Sequence, residues 1–461
     1  MAGAVSTGAA PAVVLWPAPT ENREQGSSMT SNDTTPSGDL NIGRDLDLVL
    51  VGATGFVGRL TAAHLAETAG EARIALAGRD LGRLEQARAS LPPAASTWEL
   101  VVVDVTDAEQ AAALARRTTV VCSTVGPYEQ YGKALVRACA EAGTHYCDLT
   151  GEVTFVRWSI DTVGPIAERT GARIVHSCGF DSVPSDLGVL ETARAAAEAG
   201  DGTLTRTVTH VRSMRGGISG GTVASMRGQV VRAGEDPSVG RLLRDSYALS
   251  PDRAAEPDRS GHADTERVSG PAALARKAGV EYDRDSGRWT APFFMASYNT
   301  RVVRWSNART GWSYGRDLQY SEVVDTGEGP LGATRGVATS AAVTGIMGGM
   351  GKKPIRAVLD RVLPSPGEGP SDSSMKKGRF VFDIEADTTT GAHYRTRVAD
   401  GRDPGYTSTA VMLGQSALAL AQDDLAAVTD AGGVMTPATG LGRLLVDRLR
   451  RQGFTIETVR R

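Results

Sequence analysis

The chain has 461 residues, of which 41% are hydrophobic and 22% charged, and its formal net charge is −3. That length accommodates two or three domains, each able to bury a core, and the near-neutral balance gives no electrostatic footprint for nucleic acid. The four cysteines, Cys122, Cys139, Cys147 and Cys178, include no C-x-x-C pair. This argues against a disulfide framework or a zinc site, so no metal is expected and a reducing compartment fits best. Each reads as a small buried residue. No uncharged apolar run reaches the roughly 18 residues of a spanning helix. The N-terminus lacks a basic-then-apolar signal. Both point to the cytoplasm.

Residues 1–44 are rich in Ala, Ser, Thr, Gly, Pro and Asn and read as a disordered tail. Met29 offers a start that leaves the remainder intact. Periodic structure begins at Asp47. Apolar strands are predicted at 48–51, 73–77, 100–103, 119–122, 145–148 and 173–176, and helices at 56–68, 81–91, 108–116, 133–142, 164–170 and 185–199. Strict alternation of this kind defines a doubly wound parallel α/β sheet over residues 45–200, a Rossmann domain. From about residue 203 the pattern changes. A strand is predicted over 205–212, polar stretches follow near 230–290, and strand-like runs recur at Thr300–Trp305, Gly378–Glu385 and His393–Val398. Residues 201–400 therefore read as a second α+β domain, for substrate or oligomer contacts. Residues 364–374 read as a polar loop. The closing segment, 401–461, carries predicted helices at Ala417–Ala427 and Gly440–Gln452 and a strand at Thr455–Thr458.

Gly52-Ala53-Thr54-Gly55-Phe56-Val57-Gly58 joins the first strand to the first helix. Glycines there allow a tight turn and bring backbone close to a pyrophosphate, which rests on the positive helix N-terminus. In this strand–helix context the motif reads as a dinucleotide site, with Gly52, Thr54, Gly55, Phe56, Val57 and Gly58 against the cofactor. The second strand ends in Gly78-Arg79-Asp80. A guanidinium at that tip grips a 2′-phosphate, so Arg79 points to NADP(H). Asp80 keeps NAD open as the alternative. Asp104 and Val105 end the third strand beside the adenine position; capping the next helix is an equal role for Asp104. Thr124, Val125 and Gly126 follow the fourth strand, beside the nicotinamide ribose.

Several segments carry a resemblance. V-G-A-T-G-F-V-G at 51–58, A-G-R at 77–79, G-P-Y-x-x-Y-G at 126–132, Y-C-D-L-T-G-E at 146–152 and C-G-F-D-S-V-P-S-D at 178–186 resemble the saccharopine dehydrogenase-like oxidoreductases. D-P-G-Y at 403–406 and G-G-V-M-T-P-A at 432–438 are similar to the mycobacterial trans-acting enoyl reductase branch. The resemblance implies a Rossmann domain, a second α/β domain inserted after it, and a C-terminal segment packing back on the first. It implies reduction by NADPH. In that branch the substrate is an enoyl group on a lipid- or polyketide-type chain, made for a glycolipid or wax and borne by a carrier. The alternatives are a saccharopine-type amino-acid oxidoreductase and a non-catalytic NADP(H)-binding protein.

An enoyl reduction needs a proton donor for the α-carbon and a group that polarises the thioester carbonyl. Tyr128, Asp148 and Asp181 are the candidates, with Tyr131, Glu152 and Cys178 behind them. All follow the fourth, fifth or sixth strand, on the ligand side of an open sheet. Their other reading is as caps and packing residues. Residues 336–351 form a 16-residue uncharged stretch. It reads as a surface for lipid or a peripheral membrane contact, as the lining of an acyl channel, or as a buried helix. A homo-oligomer is expected.

Overall fold

The structure, a computed structural model, describes residues 13–14, 43–216, 219–256, 279–284, 286–350, 369 and 375–461. Met29, most of the expected tail and most of the expected 364–374 loop lie outside the described residues. Within the tail, Val13–Val14 (β1) pairs in parallel with Leu100–Val101, so this part is not structureless.

The predicted apolar strands form β2 (Leu46–Val51), β3 (Ile74–Gly78), β4 (Glu99–Val102), β5 (Thr118–Ser123), β6 (His145–Asp148) and β7 (Arg173–Val175). A second, mixed sheet is built from β8 (Leu204–Arg215), β9 (Glu281–Asp283), β10 (Arg288–Pro292), β11 (Gln319–Gly327), β12 (Arg379–Thr388) and β13 (His393–Asp400). Near the C-terminus lie β14 (Gly433–Met435) and β15 (Thr455–Arg460).

The first sheet has the order β1-β4-β3-β2-β5-β6-β7-β14, and every pairing is parallel. Leu48, Val49 and Leu50 are completely buried because helices cover both faces, which is why these strands read as continuous apolar runs. The chain moves outward to β4 and then returns beside β2 as β5. The loops after β2 and β5 therefore diverge and open a crevice at this switch point.

The second sheet has the order β15-β13-β12-β8-β11-β10-β9, with β8 and β11 parallel and the other pairs antiparallel. One apolar cluster runs from Leu48 and Leu50 through Phe180 to Phe380 and Phe382, so the two sheets share a core. The Phe180 and Phe380 rings lie 4.9 Å apart between centroids.

The C-terminal segment serves both sheets. The helix Thr409–Gln422 packs on the helix Phe56–Thr68 and on β5 and β6, and β14 extends the first sheet beside β7. The strand β15, however, joins the second sheet beside β13.

Three predicted elements differ. Thr300–Trp305 is not a strand but part of the helix Ala296–Arg309. Its residues 298, 299, 301–303 and 305–308 are all buried. A helix enclosed on nearly all sides shows no amphipathic period, and its β-branched valines imitate a strand. The helix expected from Ala417 begins at Thr409 for the same reason, since residues 409–420 are all buried. It ends at Gln422, and a separate turn follows at Leu425–Ala427. Finally, the polar stretch near 230 contains the helices Gly220–Glu235 and Pro237–Arg244.

Candidate active site at the junction of the two domains

The turn after β2 requires its glycines. Gly52 has φ +85°, and a Cβ there would lie 2.6 Å from the Thr124 hydroxyl. A Cβ on Gly58 would meet the Gly52 carbonyl oxygen at 2.1 Å, so only glycine lets the helix start this close to the strand. The helix Phe56–Thr68 has no side-chain cap and no acidic residue in its first turn. Its first N–H groups are thus available to an anion, with the helix dipole behind them. These features fit the pyrophosphate of a dinucleotide.

Arg79 is exposed directly beyond β3. Asp80 accepts from the Arg83 N–H at 2.9 Å with one oxygen and caps the helix Leu81–Ala89. Asp104 accepts from the Thr106 N–H and hydroxyl at 2.9 and 2.7 Å. Those bonds, with Arg79 nearby, hold its carboxyl below the usual range. Asp104 therefore caps a turn. Val105 is buried. Thr124 bridges the loops, donating its hydroxyl to the Val51 and Gly52 carbonyls at 3.2 Å.

A cavity of about 420 Å³ opens beside this loop. Gly55–Gly58, Thr124 and Gly126 form one wall. The helix Gly220–Glu235 and the segment around Phe294, Met295 and Tyr298 form the opposite one, with Tyr406 at the side. The lining is mostly apolar, with Met226, Val230, Leu243 and Phe294 among its members. The helix Gly220–Glu235 is tied to the first domain by polar bonds. Ser225 donates to Glu152 at 2.6 Å, and Gln229 bonds the backbone of Val153 and Gly151.

The candidate proton donors separate clearly. Asp181 lines the cavity; its carboxylate accepts from the Thr222 hydroxyl at 3.1 Å, and burial pushes it up to about 6. Tyr128 also lines it, but its hydroxyl donates to the Ser123 carbonyl at 3.0 Å and accepts from the Leu149 N–H at 3.2 Å. Asp148 is completely buried and does not line the cavity. It accepts from the Thr150 and Ser177 N–H groups at 3.0 and 3.1 Å, and its second oxygen lies 2.8 Å from His176 Nδ1. Glu152 accepts from the N–H groups of Tyr128 and Glu129, and burial raises its carboxyl. Tyr131 and Cys178 do not line the cavity. All four cysteines are buried, and burial pushes the Cys178 thiol up.

Ser177 and Tyr298 are among the cavity residues that escaped the sequence reading. Tyr298 lies on the enclosed helix misread as a strand. For Ser177 there was a positional signal, since it lies two residues beyond β7 on the ligand side of the sheet. The other difference concerns residues 336–351. Residues 336–350 belong to the helix Gly329–Met350, which packs on β10 and β11 but does not line the cavity. Leu331 and Val337 on it are 61% and 46% exposed, so it is not a buried helix. No helix among the described residues is long and apolar enough to cross a membrane, and none of them form a metal-binding cluster.

A glycine loop on an uncapped helix, an arginine at the tip of β3 and an enclosed cleft against the loop define an NADP(H)-dependent oxidoreductase. Residues 48–175 match the saccharopine dehydrogenase NADP binding domain. The chain is 43% identical over 422 residues to the trans-acting enoyl reductase of Mycobacterium bovis, covering 90% of this chain and 98% of that one. It is 44% identical over 426 residues, with the same coverage, to that of Mycobacterium ulcerans. The chain belongs to this trans-acting enoyl reductase family. Among solved structures, apo saccharopine dehydrogenase (L-Glu forming) of Saccharomyces cerevisiae aligns over 90% of this chain and 99% of its own, with 13% identity and a TM-score of 0.47.

Proposed function

We propose that this protein reduces the carbon–carbon double bond of an α,β-unsaturated acyl chain, borne as a thioester by a carrier, with NADPH as reductant. One observation carries the reading: the dinucleotide loop and an apolar cleft share a wall, so a hydride source and an acyl chain meet there. NADPH, when bound, supplies the hydride for the β-carbon. The protein supplies enclosure, orientation and the proton. Asp181 is the carboxyl that faces the cleft, and its raised pKa keeps a protonated fraction near neutral pH. We assign it as donor to the α-carbon, with solvent restoring its proton. Asp148 and Glu152 hold backbone in place, and Tyr128 holds β5 to the turn after β6.

The enoyl reductase names of the relatives and the apolar lining support an enoyl group on a lipid- or polyketide-type chain. The exposed apolar side chains of the helix Gly329–Met350 support contact with a lipid surface. A saccharopine-type substrate fits less well. Arg301 is the arginine of the cleft lining, and its guanidinium already donates to the Asp245 carbonyl at 2.9 Å, the Leu243 carbonyl at 2.5 Å and the Ser297 carbonyl. Two carboxylates would find no free fork there. The test is NADPH oxidation with crotonyl- and dodecenoyl-coenzyme A, against saccharopine as the control. Turnover of the thioesters is expected; turnover of saccharopine alone would overturn the reading.

A further inference from the structure

Ser177 and Tyr298 come from different domains and meet inside the cleft, with 2.6 Å between Ser177 Oγ and the Tyr298 hydroxyl. Ser177 has φ +66°, in the left-handed region that a residue with a Cβ enters only under constraint. The constraint is visible. Asp148 accepts from the Ser177 N–H with one oxygen and meets His176 Nδ1 with the other, while His176 Nε2 lies 2.9 Å from Ser159 Oγ. Asp148, His176 and Ser159 are completely buried and do not line the cleft. Their arrangement holds the backbone at 176–177. What it secures in the cleft is one hydroxyl, that of Ser177, aimed at Tyr298. Ser177 Oγ also lies 2.8 Å from the Thr150 carbonyl, so its single proton has two acceptors to choose between, Thr150 and Tyr298.

We propose that Tyr298 donates a hydrogen bond to the carbonyl oxygen of the bound acyl thioester, stabilising the negative charge that develops there as hydride reaches the β-carbon, and that Ser177 orients it. The inference rests on the enoyl reductase reading above. When the Ser177 proton turns from the Thr150 carbonyl to the Tyr298 oxygen, the Tyr298 proton is free to point at the substrate. No covalent bond to Tyr298 forms or breaks. Burial and the nearby carboxylates of Asp148, Glu152 and Asp181 raise the phenol's pKa, so it holds its proton throughout. A donor fixed in place before reaction, in a site that excludes water, is worth far more than the same bond in solvent. Tyr298 is thus a catalytic residue. Ser177 and, through it, Asp148 are positioning residues.

The test uses the full chain, NADPH and dodecenoyl-coenzyme A. Tyr298→Phe is expected to lower kcat roughly 10²–10³-fold, the usual loss for one such donor, with NADPH affinity unchanged in a fluorescence titration. It is also expected to raise the kinetic isotope effect with NADPH deuterated at the transferred position, because hydride transfer becomes rate-limiting. Glycine suits φ +66°, so Ser177→Gly removes the hydroxyl without new backbone strain. It is expected to keep or raise the melting temperature while lowering kcat about tenfold at unchanged KM, a split that loss of structure would not give. A wild-type rate and isotope effect in Tyr298→Phe overturn the proposal while leaving the enoyl reductase reading intact. A wild-type kcat in Ser177→Gly overturns the orienting role. No turnover by the wild type overturns the reading and the inference together.

Discussion

The two walls of the cleft are built from different materials. On the first, recognition belongs to backbone: a turn with φ +85° at Gly52, the close approach at Gly58 and an uncapped helix N-terminus. On the second it belongs to side chains brought from distant parts of the chain, with Met226 and Val230 on one helix and Tyr298 on another. A pyrophosphate presents the same anionic shape in every cycle, and backbone N–H groups suffice for it. An acyl chain presents surface to be covered, and side chains set its length and shape. The two walls are therefore expected to fail separately.

A loss comparable to that in Tyr298→Phe tests the chemistry between them. Asp181→Asn removes the proposed proton donor and is expected to lower kcat by roughly 10²-fold or more, with NADPH affinity unchanged by titration. Unaltered kcat would return the donor's role to water. Next is the first wall. Gly58→Ala places a Cβ against the Gly52 carbonyl. It is expected to cost roughly 3 kcal/mol and most of the NADPH affinity, read by thermal melts and fluorescence. Arg79→Ala is expected to weaken NADPH roughly ten- to a hundredfold, the worth of charge-assisted bonds to a phosphate, and to leave NADH binding as it was. Loss of both cofactors alike would contradict the 2′-phosphate assignment. On the second wall, Met226→Trp is expected to raise KM for dodecenoyl-coenzyme A roughly tenfold, with less effect on crotonyl-coenzyme A and none on NADPH. An equal effect on both thioesters would place the acyl chain elsewhere.

The same contrast explains what was legible in the sequence. The parallel sheet and its glycine loop could be read because their determinants are local: an apolar run, then glycines, then a helix. The place of Arg79 at a strand tip could be read in the same way. Asp148 could be named only as one candidate with two readings, since the sequence shows that a carboxyl ends β6, not that its oxygens turn inward to the backbone of Thr150 and Ser177. Asp181, at the comparable position beyond β7, does face the cleft. Tyr298 was hidden because the helix Ala296–Arg309 is enclosed, and enclosure erases the period by which a helix is recognised.

The smallest expected effect is on stability. Burial raises Asp181 and Asp186 to about 6, above their ordinary value of 3.8. The folded state therefore holds these protons more tightly than the unfolded chain. The stabilisation is fully present below the unfolded value and is lost as pH rises through about 6. In Asp181→Asn the decline from pH 4 to pH 6 is expected to be shallower in thermal melts. An unchanged slope would mean that the carboxyl is solvated in the folded state.

The central claim, that hydride passes from NADPH to an enoyl chain in this cleft, is tested most directly by isotope transfer. The wild-type protein would be incubated with dodecenoyl-coenzyme A and NADPH deuterated at the transferred position, and the product read by mass spectrometry. The account requires a saturated acyl thioester with a single deuterium on the β-carbon. Recovery of unreduced thioester, or of saturated product without deuterium, would contradict it.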